Sequence, residues 1–271
     1  MENKVKYDVT DLTSLEKLEP VRVRPGMYIG STGTKGLHHC IWEILDNSID
    51  EISNGYGNKA SVILNRDKSV TIIDNGRGVP TGVHPIKKKT GVEMVYTELH
   101  TGGKFDNKNY KTSGGLHGVG AAVVNALSEW LEVEVHQNGN IYRQRFEYAF
   151  DKEIGKDMPG TAVTPLEIVG KSKDTGTRVT FKPSKEVFST TEFKFDIIDE
   201  RLKELSFQNK GIYLGLIDRR KDEEVKKEYY SENGLLDFIK YLNESKTPIH
   251  QNPIIFEGER NVDNTQMFGE V

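Results

Sequence analysis

The chain has 271 residues, 35% hydrophobic and 29% charged, which is enough for one large or two medium domains with a buried core. No apolar run approaches the roughly 20 residues of a membrane span and the first residues lack the apolar region of a signal peptide, so we expect no membrane partner. The net charge of −4 argues against an autonomous DNA-binding domain, and the single Cys40 excludes an internal disulfide, as fits a cytoplasmic location.

The first long element is a predicted helix over residues 39–51, which follows an N-terminal segment and an Arg-Pro-Gly turn at residues 24–26. Hydrophobic periodicity and turn residues then predict a hairpin of strands at 60–64 and 69–74, a helix at 121–127, and a second hairpin at 131–136 and 141–146 with an Asn-Gly turn. The second half of the chain is predicted to contain a strand at 176–181, a helix at 191–205 and a strand at 211–218. An exposed charged connection at 218–228, a helix at 234–242 and a strand at 253–256 follow. Several hairpins beside a few long helices predict an α+β fold, with helices packed on one face of a mixed β-sheet.

The helix at 39–51 carries an unusual polar stripe. His39, Glu43, Asn47 and Asp50 fall at positions i, i+4, i+8 and i+11, which places them on one helix face. The alternative interpretation is an ordinary solvated face, but such a face usually carries Lys and Glu pairs. A base, two carboxylates and an amide suit the binding of a metal ion and a water molecule.

A second candidate feature is Asp74, which ends the apolar run at 69–74 and precedes a turn rich in Gly and Pro. A carboxylate at a strand end can be held rigidly and partly buried. It can therefore accept a hydrogen bond from one ligand group.

The third feature is the glycine-rich stretch at residues 110–120, which runs directly into the helix at 121–127. Glycines let a backbone approach an anion closely, and a helix start directs free N–H groups toward it, so the stretch predicts a phosphate cradle, with a plain turn as the alternative. Its Gly-x-x-Gly-x-Gly spacing is the reverse of the dinucleotide-binding fingerprint and no βαβ unit precedes it, which argues against a Rossmann dehydrogenase.

Together these three segments resemble the ATP-site motifs of the GHKL ATPase superfamily, which includes DNA gyrase B, mismatch-repair ATPases and sensor histidine kinases. Residues 21–30, 36–39, 99–105 and 115–128 narrow the match, because they are similar to the ATPase subunits of bacterial type IIA DNA topoisomerases. Gyrase B and its topoisomerase IV counterpart both remain open. Chaperone and mismatch-repair ATPases share the fold but do not account for the segment Arg-Pro-Gly-Met-Tyr-Ile-Gly at 24–30.

The resemblance implies a GHKL (Bergerat) two-layer sandwich over residues 1–228, with an N-terminal dimerisation arm. It implies the beginning of a transducer domain at 229–271, so the chain is expected to be an N-terminal piece of a longer protein. The implied activity is ATP hydrolysis with Mg²⁺, driving a dimer clamp that powers DNA strand passage; the alternative is a nucleotide-binding and dimerisation module without meaningful turnover. The implied partners are a second copy of the chain, the DNA-cleaving topoisomerase protein, DNA through the full complex, and aminocoumarin inhibitors at the ATP site.

The resemblance also assigns roles to individual residues. Glu43 would be the general base for the attacking water, His39 would orient it, and Asn47 would bind Mg²⁺. Asp74 would accept the adenine amino proton, supported by Thr177 through a water. The other implied nucleotide-site residues are Tyr7 of the arm, Asp50, the rim residues Arg77, Gly78, Pro80 and Arg143, and the lid residues Gly103, Lys104, Tyr110, Gly115, Leu116, His117, Gly118, Val119 and Gly120. For Arg143, a charge on the face of a strand is the alternative.

Overall fold

The computed structural model describes residues 8–12, 14–101, 118–247, 254, 256–262 and 265–270. Seven predicted site residues lie outside this range: Tyr7, Gly103, Lys104, Tyr110, Gly115, Leu116 and His117. The helices are α1 (Glu19–Val23), α2 (Gly26–Ile29), α3 (Thr34–Ser53), α4 (Gly91–Thr97), α5 (Gly120–Ala126), α6 (Phe195–Gln208) and α7 (Leu235–Asn243), with a short 3-10 helix at Val9–Asp11. The strands are β1 (Lys59–Leu64), β2 (Val70–Asp74), β3 (Ser128–Gln137), β4 (Asn140–Asp151), β5 (Lys156–Ala162), β6 (Glu167–Lys171), β7 (Gly176–Pro183), β8 (Tyr213–Asp218), β9 (Val225–Tyr229), β10 (Glu257–Val262) and β11 (Thr265–Glu270).

Strands β1 to β9 form one mixed sheet in the order β5-β4-β3-β7-β2-β1-β8-β9, with β6 paired to β4 beside β5. The neighbouring strands are antiparallel except β1 and β8, which run parallel. Helix α3 packs against β1, β2 and β7, and α6 packs against β8 and β9. The predicted α+β sandwich of helices on a mixed sheet is confirmed. Strands β10 and β11 pair with each other as a separate hairpin.

Helix α3 is the central helix of the core. Its apolar residues Ile41, Ile44, Leu45 and Ile49 are all buried, as the periodicity predicts. Burial of this stripe holds α3 on the sheet and fixes the direction in which its polar stripe points. None of the helices in the described part of the chain is long and apolar enough to cross a membrane.

The predicted hairpins are present. Asn138 and Gly139 join β3 to β4 with positive φ values of 53° and 77°. Two consecutive left-handed residues are what a two-residue type I′ turn requires, and this turn matches the twist of the flanking strands.

Several parts of the secondary structure differ from the prediction, which did not include α1, α2, β5, β6 or the β10–β11 hairpin. The charged connection predicted at 218–228 contains the edge strand β9, whose residues Val225 to Glu228 are exposed, so no apolar alternation marks it. The strand predicted at 253–256 is wrong: β10 begins at Glu257, while Ile254 and Phe256 lie outside it and are 66% and 70% exposed. Helix α4 was not predicted, although the Thr90 hydroxyl accepts a hydrogen bond from the Glu93 N–H and caps its start.

Candidate nucleotide-binding site

The polar stripe of α3 contains a short histidine–carboxylate pair. His39 Nε2 lies 3.0 Å from Glu43 Oε1, one helical turn away, and about a third of each side chain is exposed. The hydrogen bond to Glu43 raises the pKa of His39 above its ordinary value. Asn47, one turn further along, donates its side-chain N–H to the Glu43 carbonyl at 2.7 Å. The three side chains are therefore held in one row.

Glu43 faces the first residue of α5. A methyl group added at Gly120 would lie 1.9 Å from Glu43 Oε2 and 2.9 Å from its Cδ. A Cβ at this position would therefore displace the Glu43 carboxylate from where it lies. Among the described residues no side chain caps the start of α5, so its first N–H groups lie beside the Glu43 carboxylate without a side-chain acceptor.

A second carboxylate, Asp74, occupies the end of β2. Its Oδ1 accepts the backbone N–H groups of Gly76 at 2.9 Å and Thr177 at 3.2 Å, while Oδ2 accepts the Ser48 hydroxyl at 2.9 Å. Burial raises the pKa of Asp74 above its ordinary value, although all three hydrogen bonds act in the opposite direction. A carboxylate oxygen has two lone pairs, so Oδ1 is fully used, and Oδ2, with one donor from the described residues, has room for one more.

Arg77 is fixed at the turn after β2. Its guanidinium donates two hydrogen bonds to the Glu51 carboxylate, at 2.6 and 2.9 Å, and its backbone N–H donates a third at 3.0 Å. The guanidinium also lies 3.4 Å from the centre of the Tyr56 ring. The Gln137 side-chain N–H donates to the Arg77 carbonyl at 3.1 Å and so ties the β3–β4 hairpin to this turn.

The same turn depends on Gly78. Its φ of +83° favours glycine, and an added Cβ would lie 2.8 Å from Val135 Cγ1. Pro80, two residues later, is exposed. The segment from Asp74 to Pro80 therefore forms a rigid rim at the ends of β2, β3 and β7.

Gly118 and Val119 lead into α5. Gly118 has a φ of +59°, and its carbonyl accepts the Thr101 N–H at 3.2 Å. Val119 packs against the core, and its carbonyl accepts the first helical N–H, that of Val123. These contacts fix both backbone positions that flank residues 102–117.

Two predicted residues behave differently from the rest. Asp50 is buried in α3, with 5% exposure, whereas Asn47 is exposed, so the polar stripe runs from the surface into the interior. Arg143 lies on the other face of the sheet from Asp74.

The register of the sheet explains why Arg143 and Asp74 lie on opposite faces. Glu134 stands opposite both Arg143 and Arg178, so these three side chains share a face, and Arg143 bonds Glu134 at 2.6 Å. Arg178 in turn stands opposite the residue before Asp74. Because side chains alternate along a strand, Asp74 and Thr177 point to the opposite face. Arg143 therefore pairs with Glu134 on the face away from Asp74 in this structure, and its place at the nucleotide rim stays a prediction.

Sequence reasoning missed the residues that support this site: Ser48, Glu51, Tyr56, Gly76 and Gln137. Ser48 and Glu51 lie next to the polar stripe on the same helix, and both are buried in the structure. Their partners lie about 26 residues away in the chain. Only the folded structure supplies those contacts.

In the part of the chain that the structure describes, this site contains no ready-made metal cluster. Among the described residues, no group of three or more His, Cys, Asp and Glu side chains could hold a metal ion by itself. A cavity of about 260 Å³ lies elsewhere, between α4, β5 and the segment around Lys17. None of the predicted site residues that the structure describes lines it.

The family model for histidine kinase-, DNA gyrase B-, and HSP90-like ATPases matches residues 32–187, more than half of the chain. The chain belongs to this ATPase family. The matched residues include α3, the Asp74 turn, α5 and β7, so the family assignment covers the whole described site.

Two relatives are about half identical to this chain over the aligned residues. The DNA topoisomerase 4 B subunit of Staphylococcus epidermidis is 51% identical over 251 residues, which are 92% of this chain and 36% of the relative. Its counterpart from Staphylococcus aureus is 50% identical over 262 residues, 96% of this chain and 38% of the relative. The chain thus spans well under half the length of these relatives.

A solved structure is similar to this chain in both sequence and fold. The 43K ATPase domain of Thermus thermophilus gyrase B, in complex with an aminocoumarin, superposes with a TM-score of 0.76 at 38% identity, covering 90% of this chain and 59% of that chain.

Proposed function

We propose that this chain is the ATP-binding and ATP-hydrolysing domain of a type IIA DNA topoisomerase B subunit. The observation that carries the proposal is that the site contains two carboxylates in different environments. Glu43 stands beside His39 and the first turn of α5, and Asp74 sits in a ring of hydrogen-bond donors at the end of β2. One suits a reacting water and the other suits a nucleobase. The ATPase family and the names of the relatives point the same way.

The adenine end would be read by Asp74. Its Oδ2 has room for one further donor, and the exocyclic amino group of adenine is such a donor. Oδ1 is held by the Gly76 and Thr177 N–H groups, so the carboxylate cannot rotate away. Thr177 would add contacts to the base through a water. A guanine, which presents a carbonyl oxygen at the equivalent ring position, would place an acceptor against this carboxylate and be rejected.

The phosphate end would be served by Glu43 and α5. Glu43 would take the proton of the attacking water, and His39, bonded at 3.0 Å, would hold the carboxylate in place and compensate its charge. The N–H groups at the start of α5, with Gly118, Val119 and Gly120, would face phosphate oxygens. Gly103, Lys104, Tyr110, Gly115, Leu116 and His117 would complete this end, as the family resemblance implies.

The donor set fits Mg²⁺. Asn47 supplies an amide oxygen, a hard ligand of the type that Mg²⁺ accepts, and the described residues contain no cluster able to bind a metal alone. Mg²⁺ would therefore take most of its ligands from phosphate oxygens and water, and when bound it neutralises charge that develops on the phosphates. Asp50 would act behind Asn47, from inside α3.

The names of the relatives support a proposal for the wider assembly. We propose an ATPase domain over 1–228 and the start of a transducer domain at 229–271, with Tyr7 reaching the nucleotide of a second copy. ATP would close this dimer as a clamp that drives strand passage through DNA, together with the DNA-cleaving protein of the topoisomerase, in the cytoplasm. An aminocoumarin would bind at the rim that the family resemblance assigns to Arg77, Pro80 and Arg143.

The experiment that tests hydrolysis compares phosphate release by the wild-type chain and the Glu43→Gln variant, with ATP and Mg²⁺. We expect release by the wild type and a loss of roughly a hundredfold or more in the variant, the scale of general-base catalysis, with ADP affinity unchanged. Nucleotide binding without phosphate release by the wild type would instead support a binding and dimerisation module. Equal release by both proteins would refute the role of Glu43.

A further inference from the structure

Asn125 is a buried polar residue of α5 that the mechanism above does not use. It is 1% exposed, and its Nδ2 donates two hydrogen bonds, to the Tyr96 carbonyl at 2.8 Å and the Gly160 carbonyl at 3.0 Å. Its Oδ1 has no hydrogen-bond partner among the described residues. An apolar side chain of the same shape would avoid this unmatched oxygen but would leave both carbonyls without these donors, so the asparagine is explained by its two hydrogen bonds.

Both carbonyls belong to places where regular hydrogen bonding stops. Tyr96 lies in the last turn of α4, where helix carbonyls lack partners within the helix. Gly160 lies in a β-bulge, because Pro159 and Gly160 together oppose the single residue Tyr148 of β4. One amide group therefore joins α5 to the end of α4 and to the bulge of β5.

The fit around this amide is tight. Gly160 has a φ of +67°, and a Cβ there would lie 2.6 Å from Asn125 Nδ2 and 2.9 Å from Leu18 Cδ1. The two N–H groups thus reach their carbonyls only while α5, α4 and β5 keep their relative positions.

Those positions determine the phosphate end of the site. The other end of α5 carries Gly120 against Glu43, and α4 leads to Thr101, whose N–H donates to the Gly118 carbonyl. A displacement of α5 along or around its axis would move Gly120 and the N–H groups of its first turn together. Asp74, on β2, is not part of this connection.

We propose that Asn125 is a positioning residue for the phosphate end of the nucleotide site: by joining α5 to α4 and β5, it holds the start of α5 against Glu43. The inference rests on the proposed ATPase function. It makes Asn125 important for recognising the γ-phosphate and unimportant for recognising adenine.

The test is calorimetric titration of Asn125→Leu with ADP and with a non-hydrolysable ATP analogue, each with Mg²⁺. The matched control is Gln144→Leu, because Gln144 is also 1% exposed, donates to a backbone carbonyl, that of Thr164, and has an unpartnered side-chain oxygen among the described residues. We expect Asn125→Leu to weaken the ATP analogue roughly tenfold relative to ADP, the scale of one lost hydrogen bond. Gln144→Leu should leave the ratio of the two affinities unchanged.

An unchanged ratio in Asn125→Leu, or an equal change in Gln144→Leu, would overturn the inference. If Asn125→Leu does not fold, Asn125→Asp replaces it, since a protonated Asp keeps one of the two donors and an ionised one keeps neither. Its preference for the ATP analogue should then fall with rising pH more steeply than that of the wild type, and a parallel pH profile would overturn the inference. Failure of the wild type to bind either nucleotide would refute the proposed function itself.

Discussion

The contact between Gly120 and Glu43 allows the proposed catalytic geometry to be disturbed by one methyl group. In Gly120→Ala the new Cβ would lie 1.9 Å from Glu43 Oε2, so the carboxylate oxygen has to move by about 1.5 Å to reach ordinary van der Waals distance. We expect that movement to carry Oε1, the other oxygen of the same carboxylate, out of its 3.0 Å contact with His39. Misplacement of a catalytic group by about 1 Å can cost roughly a hundredfold in rate, so we expect phosphate release to fall by about that factor.

We expect the Gly120→Ala variant to lose activity without losing folding stability. Alanine is favoured over glycine in helices by up to about 1 kcal/mol, which offsets the cost of moving a flexible, partly exposed side chain. The matched control is Gly26→Ala, because Gly26 is likewise the first residue of a helix and a Cβ there would have no atom within 4 Å. It should gain similar helix propensity and keep full activity.

The assays are phosphate release, ADP affinity by calorimetry, and the pKa of His39 by NMR titration. We expect Gly120→Ala to lose turnover, retain ADP affinity, and show a His39 pKa closer to the ordinary value, since Glu43 no longer accepts its hydrogen bond. Wild-type turnover together with an unchanged His39 titration would refute the proposed geometry.

Three further predictions concern charge. Burial raises the pKa of Asp74 in the folded state, so the stability that this group contributes is full below the ordinary carboxyl pKa and is lost as pH rises through the folded pKa. The melting temperature of Asp74→Asn should therefore rise relative to that of the wild type between acidic and neutral pH. A difference in melting temperature that stays constant with pH would contradict this. The raised pKa of His39 likewise gives a contribution to stability that is present below the ordinary histidine pKa and is lost as pH rises through the folded pKa. This contribution is at most about 1 kcal/mol for a pair this exposed, and the NMR titration of His39 should shift to lower pH in Glu43→Gln. Arg77→Lys removes the two-pronged bond to Glu51 and should lower the free energy of unfolding in urea by roughly 1 kcal/mol, with no change expected if the pair is only a surface contact.

Local patterns predicted the parts of the fold that depend on neighbouring residues in the chain. The 3.6-residue period of apolar residues is sufficient to predict α3, and the Asn-Gly pair is sufficient to predict the β3–β4 turn. The row His39, Glu43, Asn47 follows from helical spacing alone. Asp74 at a strand end was also visible, because the turn residues follow it directly.

Other features depend on contacts between distant segments. Two of the three donors around Asp74 come from α3 and β7, and no local pattern links Ser48 to a residue 26 positions later. Arg143 shows the same dependence on register, because a shift of one residue along β4 exchanges one face of the sheet for the other. Strand β9 was missed because its sequence shows no alternation of apolar and polar residues. It is a strand because it pairs with β8.

The central claim is that Asp74 and the start of α5 form one ATP site. The most direct measurement is calorimetric titration of the wild-type chain and of Asp74→Asn with a non-hydrolysable ATP analogue and Mg²⁺. Asparagine keeps an oxygen for the Gly76 and Thr177 N–H groups but presents an N–H to the base, and loss of a hydrogen bond to a charged group costs roughly 1.5 to 3 kcal/mol. We therefore predict binding by the wild type and at least about tenfold weaker binding by the variant. Equal affinity in the two proteins, or no binding by the folded wild type, would contradict the claim.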